Sequence, residues 1–224
     1  CGLAGVWRHY SWAAHVDKYM KEVSRLLRRD QKRLRRQQAL ILNTEKSRIP
    51  LASMALISDI DNTLLGHKKS LKGLTSWINQ NKGHCVFGVA TGRSLESAVE
   101  ILKKNQVNIP DVLITSVGSE IHYGRKLIPD TGWSAHIRYL WRRDALEKAL
   151  AHFPGLTLQA PESQRKFKLS YIAKPASMPS LSDIKNHLRQ YNLHAQLIYS
   201  HEEFLDVLPV RASKGHAVRY LSYK

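Results

Sequence analysis

Three short apolar runs, separated by segments of helix length, constrain the fold of this chain more than any other feature. The runs lie at 54–58, 85–90 and 112–115, and amphipathic segments near 70–81 and 94–105 separate them. An apolar run without alternation is typical of a strand buried on both faces of a sheet. Strands joined through helices run parallel, with right-handed crossovers. The sequence therefore predicts an α/β fold built on a parallel sheet.

Beyond Gly124 the pattern becomes that of an α+β unit. We expect a long helix over about 133–152 and a second helix near 180–191. Strands are expected near 156–159, 167–173, 195–199 and 204–208. Neighbouring strands in such a unit favour an antiparallel sheet. Ser213 is a predicted N-cap for a final helix that ends near Leu221.

The segment before the first strand has a different character. From Gly5 to about Arg36, apolar and aromatic side chains recur at helical spacing, which predicts a helix that packs on a partner surface. Its basic run, 28–36, contributes to the net charge of +17. No aromatic side chain interleaves with that run, so we favour a solvated helical connector over the alternative, an arm that binds nucleic acid, and do not expect nucleic acid as a partner. Residues 43–52, with Pro50, are predicted to be a linker.

Composition limits the class of protein further. Apolar residues make up 43% and charged residues 24% of the 224 residues, which is typical of a globular protein. No apolar run approaches the roughly 18 residues that a membrane-spanning helix needs, so no membrane association is expected. Cys1 and Cys85 are too few for a disulfide framework or a zinc site, which favours a cytoplasmic protein.

The stretch with the most chemical information follows the first predicted strand. Asp59 and Asp61 stand one residue apart directly after the apolar run. Ligands of parallel sheets bind beyond the carboxyl ends of the strands, so both carboxylates are expected at the functional edge. Two carboxylates held close together need a cation, and Mg²⁺ prefers such oxygen ligands. One carboxylate is suited to attack phosphorus and the other to proton transfer, whereas the alternative is an acidic cap or turn without function.

Further motifs carry groups suited to binding phosphate. The second strand runs into Thr91, Gly92 and Ser94, which would place a hydroxyl group and helix N-terminal amides at the same edge. Lys214 stands at the start of the last predicted helix, where the helix dipole disfavours a cation unless an anion lies opposite. Gly118, after the third strand, would permit a tight turn or the close approach of a ligand. Taken singly, the motif at Thr91–Ser94 is better explained as helix capping. The alternative for Lys214 is an ordinary surface lysine.

Together these motifs resemble the signatures of a known superfamily. Three of them match, in order, the first three signatures of the haloacid dehalogenase phosphatase superfamily: 59–63, 90–94 and 213–215. Three more narrow the resemblance to the sucrose-phosphate phosphatase group: 116–121, 167–171 and 205–209. The resemblance covers 53–224. Residues 1–27 are similar to the closing helix of the glycosyltransferase part of bacterial sucrose-phosphate synthases, which often carry a phosphatase-like domain at their C-terminus.

The resemblance implies a division of the chain into parts. A Rossmann-like core would comprise 53–123 and 209–224, and an inserted α+β cap would comprise 124–208. Residues 1–42 would be an N-terminal helical remnant of the glycosyltransferase domain with the basic connector, followed by the linker. The chain would thus be the tail of a fusion in which a glycosyltransferase domain is the partner of the phosphatase-like domain.

The resemblance also implies roles for individual residues. Asp59 would be the nucleophile and Asp61 the general acid and base, and both would meet Mg²⁺, Asp61 through its backbone carbonyl. Thr91 and Gly92 would bind the phosphoryl oxygens, and Lys214 would bridge the nucleophile and the phosphate. The implied cofactor is therefore Mg²⁺, and the implied reaction is phosphate ester hydrolysis.

The cap would recognise the sugar of a sugar phosphate. Gln164 and Lys168 match the family's Gln-x-x-x-Lys pattern and are implied as sugar-binding residues. The family tends to place an acidic sugar-binding residue near 137–141, where this chain has Arg138 and Tyr139. The implied activity is hydrolysis of sucrose 6-phosphate to sucrose and phosphate in sucrose biosynthesis. The alternative is a non-catalytic domain that binds sucrose phosphate or regulates an attached synthase, and the presence of both aspartates favours the enzyme.

One family signature is not found. The fourth, Gly-Asp-Ser-Gly-x-Asp, is expected after Lys214 but does not occur before Lys224. In the family its acids help to hold the metal, and its strand would lie beside 54–58, which would otherwise have an open edge. We therefore expect the isolated chain to have an incomplete core, to be weakly active at best and to be prone to association.

Overall fold

The computed structural model describes residues 16, 18–25, 49 and 52–224. Contacts between Cα atoms divide the chain into two units. The first unit takes its described residues from Cys1–Ala90, Ala98–Leu113 and Tyr123–Leu127, and the second consists of Thr91–Ser97, Ile114–His122 and Ile128–Lys224.

The first unit is built on two parallel strands. β1 (Met54–Ser58) pairs with β2 (Cys85–Ala90), and Leu56 lies opposite Phe87 in the register. Helix α1 (Lys68–Gln80) lies between them in the chain and forms the expected crossover connection. All six residues of β2 are buried, as expected for a strand covered on both faces. The first two predicted strands are therefore confirmed.

Five strands form one sheet in the order β1-β2-β3-β4-β5. Helix α2 (Leu95–Lys104) precedes β3 (Val112–Thr115), which coincides with the third predicted strand. β4 (Glu120–Tyr123) and β5 (Ile128–Pro129) lie outside the predicted strands, because they are short and lack an apolar run. The predicted α/β class with parallel strands is confirmed.

The helix expected over about 133–152 is two helices in the structure. α3 (Thr131–Ile137) and α4 (Arg143–Leu150) are separated by a turn in which Leu140 has a φ of +59°. A residue in the left-handed region cannot continue a right-handed helix, although the apolar periodicity of the sequence runs across the break. The prediction of one long helix is therefore wrong.

The predicted antiparallel sheet lies in the second unit and is confirmed. Its order is β6-β7-β9-β8, and every pairing is antiparallel. The strands are β6 (Leu156–Leu158), β7 (Leu169–Ala173), β8 (Gln196–Ser200) and β9 (Phe204–Leu208). Leu169 and Leu205 belong to a core that also contains Leu146 of α4 and Ile184 of α5 (Leu181–Gln190). Since strand residues alternate between faces, the residues between these core positions lie on the opposite face of the sheet.

The last helix, α6 (Lys214–Ser222), begins where the sequence predicts it. Ser213 is its N-cap, and its Oγ accepts a hydrogen bond from the His216 amide at 3.0 Å. The predicted cap is therefore confirmed.

The segment before β1 is described in part. Residues 18–25 are helical, and Val23 is buried. The rest of the predicted N-terminal helix, the basic run and most of the predicted linker lie outside the described residues. Over the part of the chain that the structure describes, no helix has both the length and the apolar character needed to cross a membrane.

Candidate functional site

The first candidate acid, Asp59, directly follows β1. Its Oδ1 accepts a hydrogen bond from the Ile60 amide at 2.7 Å. The wide turn that follows, Ile60–Leu64, is closed by the Leu64 amide, which donates to the Asp59 carbonyl oxygen at 3.2 Å. Ile60 and Leu64 are both buried, so the two ends of the turn are anchored in the core.

Asp61 lies in the middle of this turn. Its backbone is extended, with φ −74° and ψ 133°, and the next residue, Asn62, has a φ of +54°. Asparagine tolerates this left-handed conformation better than most residues do. Asp61 is exposed, whereas Asp59 is half-buried. Both carboxylates therefore lie just beyond the carboxyl end of β1, in the first unit.

Thr91 begins a second group of polar atoms, residues 91–97, which we call the phosphate seat because the sequence predicts phosphate binding there. Thr91 is completely buried, and its Oγ1 accepts a hydrogen bond from the Arg93 amide at 3.2 Å. The oxygen is the acceptor in this contact, so the hydroxyl group keeps its own proton for donation. At the start of α2, Ser94 Oγ accepts from the Ser97 amide at 3.2 Å and caps the helix.

The turn after β3 joins the phosphate seat to the start of α6. The Val117 amide donates to the Thr91 carbonyl oxygen at 3.2 Å. Gly118 has a φ of +94°, and a Cβ at this position would lie 2.2 Å from the Ser213 carbonyl carbon and 2.4 Å from the Lys214 nitrogen. Only a glycine fits such a close approach of two backbones. The Gly118 turn therefore connects the Thr91 and Lys214 motifs within the second unit.

The catalytic and phosphate-binding residues that the sequence predicts fall into two groups. Asp59 and Asp61 belong to the first unit, whereas Thr91, Gly92 and Lys214 belong to the second. Among the described residues, no cluster of three or more His, Cys, Asp or Glu side chains is suited to hold a metal ion. Two carboxylates nevertheless suit Mg²⁺, which is usually bound through one or two carboxylates and retains several waters.

Gln164, a predicted sugar-binding residue, braces the backbone around it. Its Nε2 donates to the carbonyl oxygens of Gln159 and Ser170 at 3.0 and 2.9 Å, and its Oε1 accepts from the Ser170 amide at 3.0 Å. These contacts use both donor hydrogens of the side-chain amide and one of the two acceptor positions of the oxygen. A sugar hydroxyl could therefore meet Gln164 only as a donor to its remaining acceptor position.

Lys168, the other predicted sugar-binding residue, is 8% exposed and pairs with Asp206. The Lys168 Nζ lies 3.3 Å from Asp206 Oδ1, and Ser170 Oγ donates to the same oxygen at 2.7 Å. Ser170 and Asp206 are register partners on β7 and β9, on the face of the sheet opposite the apolar core. This arrangement offers a cation and hydroxyl and carboxylate groups together, which suits recognition of sugar hydroxyls.

Asp206 is absent from the predicted site residues. Its signal in the sequence is alternation, since it stands between Leu205 and Val207, which both belong to the core. A carboxylate between two core residues of a strand must point to the other face. The near-complete burial of the Lys168–Asp206 pair could not be derived from that alternation alone.

The region near 137–141 presents an aromatic and cationic contact instead of a carboxylate. The Arg211 guanidinium lies 3.9 Å from the centre of the Tyr139 ring, a cation–π contact. Tyr139 is half-exposed. An acidic group does lie beside the predicted sugar-binding residue Lys168, but it is Asp206 of β9.

Known proteins resemble most of this chain in sequence. Residues 52–224 match the family model described as sucrose-6F-phosphate phosphohydrolase. Sucrose-phosphatase 2 of Nicotiana tabacum is 32% identical over 179 residues, which cover 77% of this chain and 42% of that protein. Sucrose-phosphate synthase 4 of Arabidopsis thaliana is 26% identical over 159 residues, covering 66% of this chain and 15% of that protein. The chain thus spans 42% of the length of the tobacco phosphatase.

Two solved structures are also similar to this chain. The sucrose-phosphatase of Synechocystis, in complex with sucrose and phosphate, aligns with a TM-score of 0.71 and 33% identity over 77% of this chain and 70% of that chain. A haloacid dehalogenase-like hydrolase from Bacillus subtilis aligns with a TM-score of 0.51 and 19% identity, over 78% of this chain and 72% of that chain. The second likeness shows the fold alone.

Proposed function

This chain belongs to the sucrose-6F-phosphate phosphohydrolase family, and from that premise we propose that it hydrolyses sucrose 6-phosphate to sucrose and inorganic phosphate. The observation that carries the proposal is the pair of carboxylates, Asp59 and Asp61, on the turn that follows β1. A carboxylate at the carboxyl end of a parallel strand is well placed to meet a ligand. The second unit supplies phosphate-binding groups at Thr91, Gly92 and Lys214.

In the proposed reaction, the Asp59 carboxylate attacks phosphorus and forms an aspartyl phosphate. Asp61 gives its proton to the departing sugar oxygen, and the bond between phosphorus and that oxygen breaks. Asp61 then accepts a proton from water as the water attacks phosphorus, which releases phosphate and restores Asp59. One acid thus serves as nucleophile and the other as general acid and base.

The phosphate seat and Lys214 would hold the phosphoryl oxygens through these steps. Thr91 donates its hydroxyl proton, the Gly92 region supplies backbone amides, and the Lys214 ammonium compensates negative charge. A Mg²⁺ ion held by Asp59 and Asp61 would further neutralise charge on the transferred group. Gln164, Lys168 and the newly located Asp206 would contact the sugar.

The proposal includes the arrangement of the parent protein. We assign the core to 53–123 and 209–224 and the cap to 124–208, and we infer that a glycosyltransferase domain precedes them. Support comes from the likeness to sucrose-phosphate synthase 4 and from the similarity of residues 1–27 to the closing glycosyltransferase helix. A cytoplasmic location is also proposed, and the free, buried thiol of Cys85 supports a reducing compartment.

The test is phosphate release from sucrose 6-phosphate by the purified 224-residue chain, with and without Mg²⁺. We expect magnesium-dependent release that Asp59→Asn lowers by about 10³-fold or more. The control is Asp144→Asn, which removes an exposed carboxylate of α4. This variant should release phosphate as fast as the unmodified chain. Release that survives Asp59→Asn would exclude this mechanism. Tight binding of sucrose 6-phosphate without hydrolysis would favour the non-catalytic domain.

A further inference from the structure

The loop between β6 and β7, residues 159–168, is held by side chains from outside it. Arg143, at the start of α4, donates from Nη1 to the carbonyl oxygens of Arg165 and Lys168, both at 3.0 Å. Trp141 Nε1 donates to a further carbonyl oxygen of the loop at 2.9 Å. This loop carries both predicted sugar-binding residues, so its position decides where their side chains lie.

Arg165 extends this bracing in the opposite direction. Its Nη1 donates to the loop's own carbonyl oxygens at Glu162 and Gln164, at 2.7 and 2.8 Å. Its Nη2 donates to Glu96 Oε2 at 2.7 Å, and its Nε lies 3.9 Å from Glu120 Oε1. The Arg165 side chain is 19% exposed although it ends in a charge. One planar guanidinium therefore contacts carbonyl oxygens of the loop and two separate acids at the same time.

The two acids belong to the elements that form the phosphate-binding half of the site. Glu96 lies in the first turn of α2, inside the phosphate seat. Glu120 Oε2 accepts hydrogen bonds from the hydroxyl groups of Thr115 and Ser116, each at 3.0 Å, and so is fixed to the turn that leads to Gly118. All of these residues lie in the second unit. Arg165 therefore ties the loop to Glu96 of the phosphate seat and to Glu120, which is bonded to the turn after β3.

We propose that Arg165 is a positioning residue: by tying the 159–168 loop to Glu96 and Glu120, it sets the affinity for the sugar part of the substrate. The proposal rests on the proposed function. Without the guanidinium, the loop would keep its contacts to Arg143 and Trp141 and lose those to Glu96 and Glu120. Lys168 would then occupy the position in which it contacts the sugar in a smaller fraction of molecules. The apparent affinity for the sugar phosphate falls by that fraction. The phosphate seat itself would remain intact.

A kinetic comparison of two substrates tests this role. Sucrose 6-phosphate needs both halves of the site, whereas p-nitrophenyl phosphate has no sugar for the loop to bind. For Arg165→Gln we expect KM for sucrose 6-phosphate to rise about ten-fold, with kcat for both substrates within about two-fold of the unmodified chain. For Glu96→Gln we expect a rise of about three-fold, because that carboxylate is 74% exposed and solvent screens its pairing.

Matched controls separate this effect from a change of surface charge. Arg189→Gln on α5 and Glu100→Gln on α2 remove an exposed arginine and an exposed glutamate, and both should leave KM unchanged. The double variant Arg165→Gln with Glu96→Gln should show less than the product of the two single effects, since both remove the same contact. Arg165→Gln with Glu100→Gln should show the full product.

Hydrogen exchange tests the same inference without enzyme activity. The amides of Arg165 and Lys168 donate to each other's carbonyl oxygens across the loop at 3.1 and 3.2 Å and should be protected. In Arg165→Gln we expect exchange of the loop amides to quicken by about ten-fold, and in Arg189→Gln to stay unchanged. Faster exchange in a chain that hydrolyses neither substrate would support the bracing role and refute the proposed function. Unchanged exchange, or an active chain whose KM does not move, would overturn the role of Arg165.

Discussion

Gly118 meets Lys214 backbone to backbone: a Cβ at position 118 would lie 2.4 Å from the Lys214 nitrogen. The two residues lie far apart in the sequence, and their contact joins the turn after β3 to the N-terminus of α6. Any side chain at 118 must push the helix start away, and with it the Lys214 ammonium.

We predict that Gly118→Ala disrupts this contact. The unfolding free energy should fall by about 3 kcal/mol, from the steric clash and the strain of a φ of +94°, and turnover should fall with it. Urea unfolding measures the first and phosphate release the second. The matched control is Gly124→Ala, where φ is +61° but no described atom lies within 4 Å of the added Cβ. In the control we expect the unfolding free energy to fall by roughly 1 kcal/mol from backbone strain alone. If Gly118→Ala loses no more than that, the clash with Lys214 does not exist.

Removing the Lys214 charge should affect chemistry more than folding. Lys214→Met keeps the helix start but removes the cation that would compensate the phosphoryl charge, so we expect kcat to fall by about 10²-fold or more. Lys185→Met, which removes an exposed lysine from α5, is the control. Steady-state kinetics and urea unfolding of both variants check this expectation. An equal loss of kcat in the two variants would show that Lys214 does not act on the phosphoryl group.

The Lys168–Asp206 pair should stabilise the sheet only while both charges are present. Asp206→Asn leaves the buried Lys168 ammonium without its counter-charge, and we expect the unfolding free energy to fall by about 3 kcal/mol. Lys168→Met added to Asp206→Asn should recover part of that loss, because no unpaired charge remains. Urea unfolding of the single and double variants measures the recovery. If the two losses simply add, the charges do not interact.

His122 gives the second unit a dependence on pH. Burial lowers the pKa of His122, although Glu120 and Glu96 act in the opposite direction. Among the described residues, its buried Nδ1 has no hydrogen-bond partner. As pH falls below about 6.5, the unfolded chain takes up a proton that the folded chain takes up only at lower pH. The unfolding free energy should therefore decrease from that pH down to the lowered pKa of the folded state.

His122→Gln should remove this part of the pH dependence. The exposed His152, changed to Gln, is the control that should retain it. Urea unfolding between pH 5 and pH 7.5 gives the slope for each variant. A slope for His122→Gln equal to that of the unmodified chain would show that another group titrates.

Much of the fold follows from local patterns. The apolar runs predict β1, β2 and β3 because a strand buried on both faces needs apolar residues throughout, and Ser213 marks the start of α6 because a hydroxyl satisfies the first amides of a helix. Local patterns do not predict the break at Leu140, because the apolar periodicity continues on both sides of it.

The features of the candidate site also divide into those that the sequence predicts and those that only the tertiary structure determines. The sequence by itself determined which residue types are present and in which order: the paired aspartates after β1, the Thr91 motif and the helix-start lysine, and through them the family. Tertiary structure alone decided that Gly118 lies against Lys214, that Asp206 pairs with Lys168, and that the Gln164 amide is occupied by backbone. The physical reason is that helix periods and caps depend on a few neighbouring residues, whereas these contacts depend on strand register and on how closely two distant backbones approach.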